Sequence, residues 1–172
     1  NLGDYKKSLA YELMALKIHE KALGKERPDY ALSLFNIARY YSYLGDYKKS
    51  LEYNLIALEI TGRLLGKENK DYAASLNNTA MSYYSLGDYK KSLEYNLIVL
   101  ETFEKILGKE HPDYATSLNN IAMNYSDLGD YKKSLEYNLI ALEIYEKTLG
   151  KEHPNYATSL NNIAMNYSDL GD

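Results

Sequence analysis

The sequence predicts an all-α solenoid of antiparallel helix pairs, and three observations carry the prediction. The tripeptide Leu-Gly-Asp begins at Leu2, Leu44, Leu86, Leu128 and Leu170, always 42 residues apart, and Leu-Gly-Lys-Glu begins at Leu23, Leu65, Leu107 and Leu149 at the same spacing. Each period carries two apolar stripes with the 3.6-residue spacing of an amphipathic helix. Gly punctuates every stripe, where a helix needs a left-handed cap. The 172 residues hold four periods and four residues over, read as one array over 1–172 with units at about 3–44, 45–86, 87–128 and 129–170. The last two units differ at five positions: Val99 for Ala141, Thr102 for Ile144, Phe103 for Tyr145, Ile106 for Thr148 and Asp113 for Asn155. The earlier units drift more, with Gly62 and Arg63 where Glu146 and Lys147 stand later.

The elements follow in long, short order. A long helix is expected over about 4–23, and the series closes on a short one over about 154–170, giving eight. In the third unit Leu118, Ile121, Ala122, Tyr125 and Leu128 lie on one stripe of a short helix. Pro112 sits just inside its start, where a missing N–H costs nothing, and Gly129 follows its end. Asp130 then supplies a carboxylate cap for a long helix running through Leu149 and closed by Gly150. Along that helix Tyr131, Leu135, Ala141, Leu142, Tyr145 and Leu149 form one apolar face, and Leu139, Ile140 and Ile144 a second. Two apolar sides imply cover on two sides, as stacking of successive helix pairs provides.

Composition sets the functional class. The chain is 45% hydrophobic and 26% charged with a mean hydropathy of −0.49, which excludes disordered and collagen-like classes. No apolar run approaches the roughly 20 residues that cross a bilayer, and no secretory leader is visible; a cytoplasmic location is expected. Absence of Cys removes disulfides, thiolate catalysis and Cys-based zinc sites,. A formal charge of −4 argues against nucleic acid or an anionic membrane as partner. The start at Asn1 rather than Met is expected of a segment cut from a longer array.

The stretch His153-Pro154-Asn155-Tyr156-Ala157-Thr158-Ser159-Leu160-Asn161-Asn162-Ile163-Ala164, with Gly-Asp-Tyr and the segment from Ala141 to Gly150, resembles the 42-residue tetratricopeptide-like repeat of kinesin light chains. The resemblance covers the whole chain. Against the ordinary 34-residue pattern, Leu118 stands for Trp and Asn138 for an aromatic residue, and eight extra residues lengthen the second helix. The resemblance implies a right-handed superhelix with short helices lining a concave face that binds peptides or proteins.

On that resemblance the face would be lined by Phe35, Asn36, Arg39 and Tyr43 in the first unit, and by Asn77, Asn78 and Met81 in the second. Asn119, Asn120 and Met123 follow in the third, and Asn161, Asn162 and Met165 in the fourth. Asn36, Asn78, Asn120 and Asn162 form a ladder that can grip the backbone of an extended peptide, since a carboxamide both donates and accepts. The alternative is that these amides satisfy neighbouring helices. Phe35, Arg39 and Tyr43 depart most from the copied pattern and are the expected ligand-specific residues; an acidic cargo is disfavoured because Asp127 and Asp169 would repel it. A second ladder, Asn54, Asn96 and Asn138, with Glu12 in the first copy, is expected to be buried against a short helix and to fix pairing register. The stripe that includes Tyr47, Tyr53 and Tyr83 reads as core and ridge.

Chemistry is otherwise sparse. His111 and His153 each precede a Pro at a helix start, roughly 10 Å apart in a stack, too far to share a metal at about 2.1 Å; His19 is solitary and expected to be exposed. Without a recurrent acid, base and nucleophile set or a Gly-rich phosphate loop, no enzyme activity, cofactor or metal is expected. The ends are a further candidate. Leu9, Leu13, Leu16 and Leu23 on the first helix, and Leu160, Ile163, Ala164 and Tyr167 on the last, are expected to lack a covering helix. Two readings follow: a non-enzymatic scaffold for a protein or extended peptide, or a spacer rod that associates head to tail as a homo-oligomer.

Overall fold

A computed structural model describes residues 2–171; of the Leu2 and Leu23 side chains nothing is described, so the expectation for Leu23 lies outside the described residues. Among the described residues there are eight α-helices and no strand: α1 Leu2–Leu23, α2 Pro28–Tyr43, α3 Tyr47–Leu65, α4 Lys70–Ser85, α5 Tyr89–Leu107, α6 Pro112–Asp127, α7 Tyr131–Thr148 and α8 Pro154–Leu170. They group as two units, Asn1–Asp88 and Tyr89–Asp172. In the first, α1 packs on α2, α2 on α3 and α3 on α4; in the second, α5 packs on α6, α6 on α7 and α7 on α8.

The punctuation acts as its chemistry dictates. After α6, Gly129 takes a φ of 82°, its N–H meets Ser126 O at 2.9 Å, and the Asp130 N–H meets Tyr125 O at 2.8 Å. This pair of bonds is a Schellman closure, and the left-handed residue in its middle favours Gly because a Cβ is strained there. The Asp130 side chain then accepts the Lys133 N–H at 3.2 Å to open α7. One Leu-Gly-Asp therefore ends one helix and starts the next. The Lys133 N–H, followed by the Lys133 ammonium, holds the Asp130 carboxyl below its usual range, as Lys49 does for Asp46.

The short helices start with an imidazole where the sequence places His before Pro. His111 Nδ1 accepts the Asp113 N–H at 3.1 Å, His153 Nδ1 accepts the Asn155 N–H at 3.1 Å, and the Asn69 side chain does the same for Asp71 at 2.7 Å. Loss of such a cap costs about 1 kcal/mol. His111→Ala is therefore expected to lower stability by about that amount and His111→Asn to leave it nearly unchanged, read as shifts in the urea midpoint.

The core corrects five expectations. Leu9 and Leu16 of α1 are buried, not open: with Ala57 and Ile60 of α3 they enclose Tyr30, Ala31, Leu34 and Ile37 of α2, and Leu13 packs against the same cluster. Among the described residues the large apolar side chains that α1 exposes are Tyr11, Met14 and Ile18. On α8, Leu160, Ala164 and Tyr167 are exposed as expected, but Ile163 is buried. The second face of α7 is not covered either: Leu139 and Ile140 are exposed and only Ile144 is half-buried. Buried Ser134, Asn138, Ala141 and Tyr145 define one axis, and at about 100° per residue Leu139 and Ile140 lie about 130° to either side of it, pointing outward. His19 is half-buried, with Nδ1 3.5 Å from Ser33 Oγ. Tyr53 and Tyr83 are half-buried as ridge residues, whereas Tyr47 is exposed.

Candidate functional site

Each unit holds a groove floored by a long helix and walled by two short ones. In the first unit α3 is the floor and α2 and α4 the walls, and the groove of about 700 Å³ is lined by Leu32, Phe35, Asn36, Arg39 and Tyr43 of α2, Thr61, Leu64 and Leu65 of α3, and Ala74, Asn78 and Met81 of α4. In the second unit α7 is the floor, and a hollow of about 340 Å³ is lined by Thr116, Asn119, Asn120 and Met123 of α6, Tyr145 of α7, and Thr158, Asn162 and Met165 of α8. All but two of the residues expected to line the binding face do line a groove. The exceptions are Asn77, half-buried on α4, and Asn161, exposed on α8.

One difference between the two grooves lies at a floor position. At the same place in the 42-residue period stand Thr61, Phe103 and Tyr145. Tyr145 is 1% exposed, its ring fills the floor and its hydroxyl meets Thr116 Oγ1 at 2.8 Å; burial pushes its phenol above the ordinary range, opposed by the Thr116 bond. Thr61 has no ring there and turns its hydroxyl back to Ala57 O at 2.6 Å. Across the walls Ala74 stands where Thr116 and Thr158 stand. The first groove is the roomier of the two, with exposed Leu32 and Met81 at its sides. Thr61 lies on a long helix, outside the short-helix face expected to bind; its signal in the sequence is a small residue at a position that is aromatic in both later units.

The polar groups are partly engaged. Arg39 Nη2 donates to Asn36 Oδ1 at 3.3 Å, and Asn36 Nδ2 donates to Glu12 Oε1 at 3.3 Å, leaving an exposed guanidinium at the rim, 5.9 Å from the Tyr40 ring centroid. Asn119 Nδ2 donates to Ser159 Oγ at 2.9 Å, linking α6 to α8. The second Asn ladder is buried: Asn54 Nδ2 donates to Ser82 Oγ at 2.9 Å and to Asn78 O at 3.3 Å, and Asn138 Nδ2 donates to Asn166 Oδ1 at 2.8 Å. Asn96 is buried likewise. Among the described residues no group of three or more His, Cys, Asp or Glu is placed to hold a metal, and no helix is long and apolar enough to cross a membrane.

Helix pairs repeated at fixed period, each unit carrying an open groove between short helices, define an all-α helical-repeat protein. The chain belongs to the tetratricopeptide repeat family, whose model matches residues 1–61, 43–97, 71–139 and 118–172. Its fold is similar to that of the nearly identical TPR-like repeats of a kinesin light chain-type protein from Podosopora anserina: identity is 25%, 98% of this chain and 80% of that one are covered, and the TM-score is 0.87. It is also similar to BtubC (BKLC) from P. vanneervenii, with 25% identity over 99% of this chain and 68% of that one and a TM-score of 0.87. A Rap protein, solved in complex with competence and sporulation factor, shares the fold alone, with 18% identity over 98% of this chain and 45% of its own length and a TM-score of 0.75. No curated protein matches the sequence.

Proposed function

We propose that the chain is a non-catalytic scaffold that holds an extended protein segment along its short helices, with a bulky apolar side chain of that segment seated in the first groove above Thr61. The observation that carries this reading is the hollow of about 700 Å³ between α2 and α4, where Leu32, Phe35, Leu64, Leu65 and Met81 give an apolar stretch beside polar Ser50, Asn54 and Ser82, and where Arg39, Asp29 and Asp71 supply the charges. A site of that kind fits one large side chain and leaves the Asn residues beside it to meet the segment's backbone. The second groove, filled by Tyr145, supplies polar contacts to the same kind of ligand.

The test is selection of a displayed peptide library on the 172-residue chain, followed by calorimetry on variants. Selected peptides are expected to share an aromatic or large aliphatic residue. Thr61→Tyr is expected to weaken them by about 10- to 100-fold, the equivalent of roughly 1.5–3 kcal/mol for a buried apolar side chain. Thr61→Val, which keeps the volume, is expected to bind as the native chain does. Peptides that bind Thr61→Tyr undiminished, or a selection that yields none, overturn the reading.

A further inference from the structure

Each groove has a buried polar node at its floor, and the two nodes are not equally satisfied. In the first groove Ser50 Oγ meets Ser82 Oγ at 3.3 Å, and Asn54 Nδ2 donates to Ser82 Oγ at 2.9 Å. In the second, Ser134 and Asn138 of α7 hold the same phases, but Asn166 of α8 stands where Ser82 does. Asn166 Oδ1 accepts from Asn138 Nδ2 at 2.8 Å and from Ser134 Oγ at 3.2 Å, and Asn166 Nδ2 donates to Ser134 Oγ at 2.9 Å. Asn138 is thus held by its NH2 group alone. The side chain is 2% exposed, it lines the second groove, and its Oδ1 has no partner among the described residues. Buried polar atoms in native proteins are nearly always paired, so an orphan acceptor on the floor of a groove calls for a donor. Ser92 Oγ and Asn124 Oδ1 are buried without partners as well, but neither lines a groove.

The rest of the hollow selects among donors. Its volume is about 340 Å³, and among the described residues every side chain that lines it is uncharged. An ammonium or guanidinium brought to Asn138 would be buried with no carboxylate beside it, and a carboxylate would set one acceptor against another. Asn162, half-buried on α8 and one turn before Asn166, brings a second carboxamide to the same hollow. A ligand carboxamide serves both with separate atoms, its NH2 donating to Asn138 Oδ1 and its C=O accepting from Asn162 Nδ2.

We propose that the second groove is a subsite for a Gln or Asn side chain of the bound segment. The proposal rests on the reading of the chain as a scaffold for an extended segment, and it gives the second groove an amide where the first takes an apolar group. A side chain is required, because Asn138 lies on the floor while the segment's backbone is held at the short helices. Asn138 Oδ1 is closed to solvent, so the incoming amide has to part the walls; Met123 of α6 and Met165 of α8, both exposed and unbranched, are the side chains that give way.

Calorimetry on peptides selected with the 172-residue chain tests the subsite. Besides their apolar residue they are expected to share Gln or Asn at a second position. Replacing that residue by Met, which has nearly the volume of Gln and makes neither hydrogen bond, is expected to weaken binding about 10-fold, and replacing it by Glu to weaken it further. Asn162→Ala is expected to weaken the amide peptide by a similar factor and to leave the Met peptide nearly unchanged, a coupling that loss of structure would not produce. The triple variant Ser134→Ala, Asn138→Leu, Asn166→Leu makes the floor apolar and is expected to reverse the preference, so that the Met peptide binds better. Peptides that share the apolar residue but no amide, or an amide preference that persists in both chain variants, overturn the subsite and leave the first groove's role standing. Peptides that carry the amide yet bind Thr61→Tyr undiminished overturn the apolar anchor and sustain the subsite. A selection that yields no peptide overturns both.

Discussion

Tyr145→Thr is expected to destabilise the second unit by about 3 kcal/mol and to open its groove toward the size of the first. The ring is 1% exposed and packs with Tyr114, Ala115, Leu118 and Ala141, so its removal loses transfer free energy and leaves a void that the flanking helices close only in part. The lost bond to Thr116 adds little, because Thr116 is exposed and water replaces the phenol. Thr retains a methyl, and its hydroxyl can bond to Ala141 O as Thr61 bonds to Ala57 O, which places the cost at the lower end of the roughly 3–5 kcal/mol range for aromatic truncation. Urea unfolding is the measurement. Because each unit of such an array contributes its own stability, the native single transition is expected to broaden or split, with the second unit leaving first. A shift below about 1 kcal/mol would mean that the ring is not the filler its burial implies.

Much of the architecture was legible because it is written in residues with narrow physical roles. Gly129 and Asp130 mark a left-handed closure and a carboxylate cap, and Pro112 and His111 a helix start; each signal is local, and the structure uses each one so. What periodicity leaves open is which neighbour covers an apolar face. Leu9 and Leu16 share α1 with the equally apolar Tyr11 and Ile18. Only the placement of α2 decides that the leucines are inside and the others outside. Leu139 and Ile140 fail for the same reason, since an apolar residue on a helix need not be covered. The groove shows a different limit. Phe35, Arg39, Asn78 and Met81 were expected as lining residues only through the resemblance to the tetratricopeptide-like repeat, and they do line the first groove; the space left above Thr61, where Tyr145 stands later, is a volume that periodicity does not measure.

Asn166→Leu is the second large effect expected, a loss of about 3 kcal/mol, and it bears on why a polar node lies between α7 and α8. Asn166 is 2% exposed. Its Oδ1 accepts from Ser134 Oγ at 3.2 Å and from Asn138 Nδ2 at 2.8 Å, and its Nδ2 donates to Ser134 Oγ at 2.9 Å. Asn138 Oδ1 already has no partner, so Leu at 166 leaves the Asn138 amide unsatisfied at both ends and strands the Ser134 hydroxyl, at about 1–3 kcal/mol for each buried group. The triple variant Ser134→Ala, Asn138→Leu, Asn166→Leu removes every polar partner together and is expected to regain most of that loss, because an apolar contact of similar volume carries no desolvation penalty. Stability alone would then give no reason for the node. Register does: a carboxamide pair is satisfied in one alignment of α7 and α8, whereas Leu packs nearly as well one turn along. Amide hydrogen exchange separates the two roles. If the node fixes register, α8 in the triple variant exchanges faster than in the native chain despite equal global stability; equal protection would leave the node with no part in pairing.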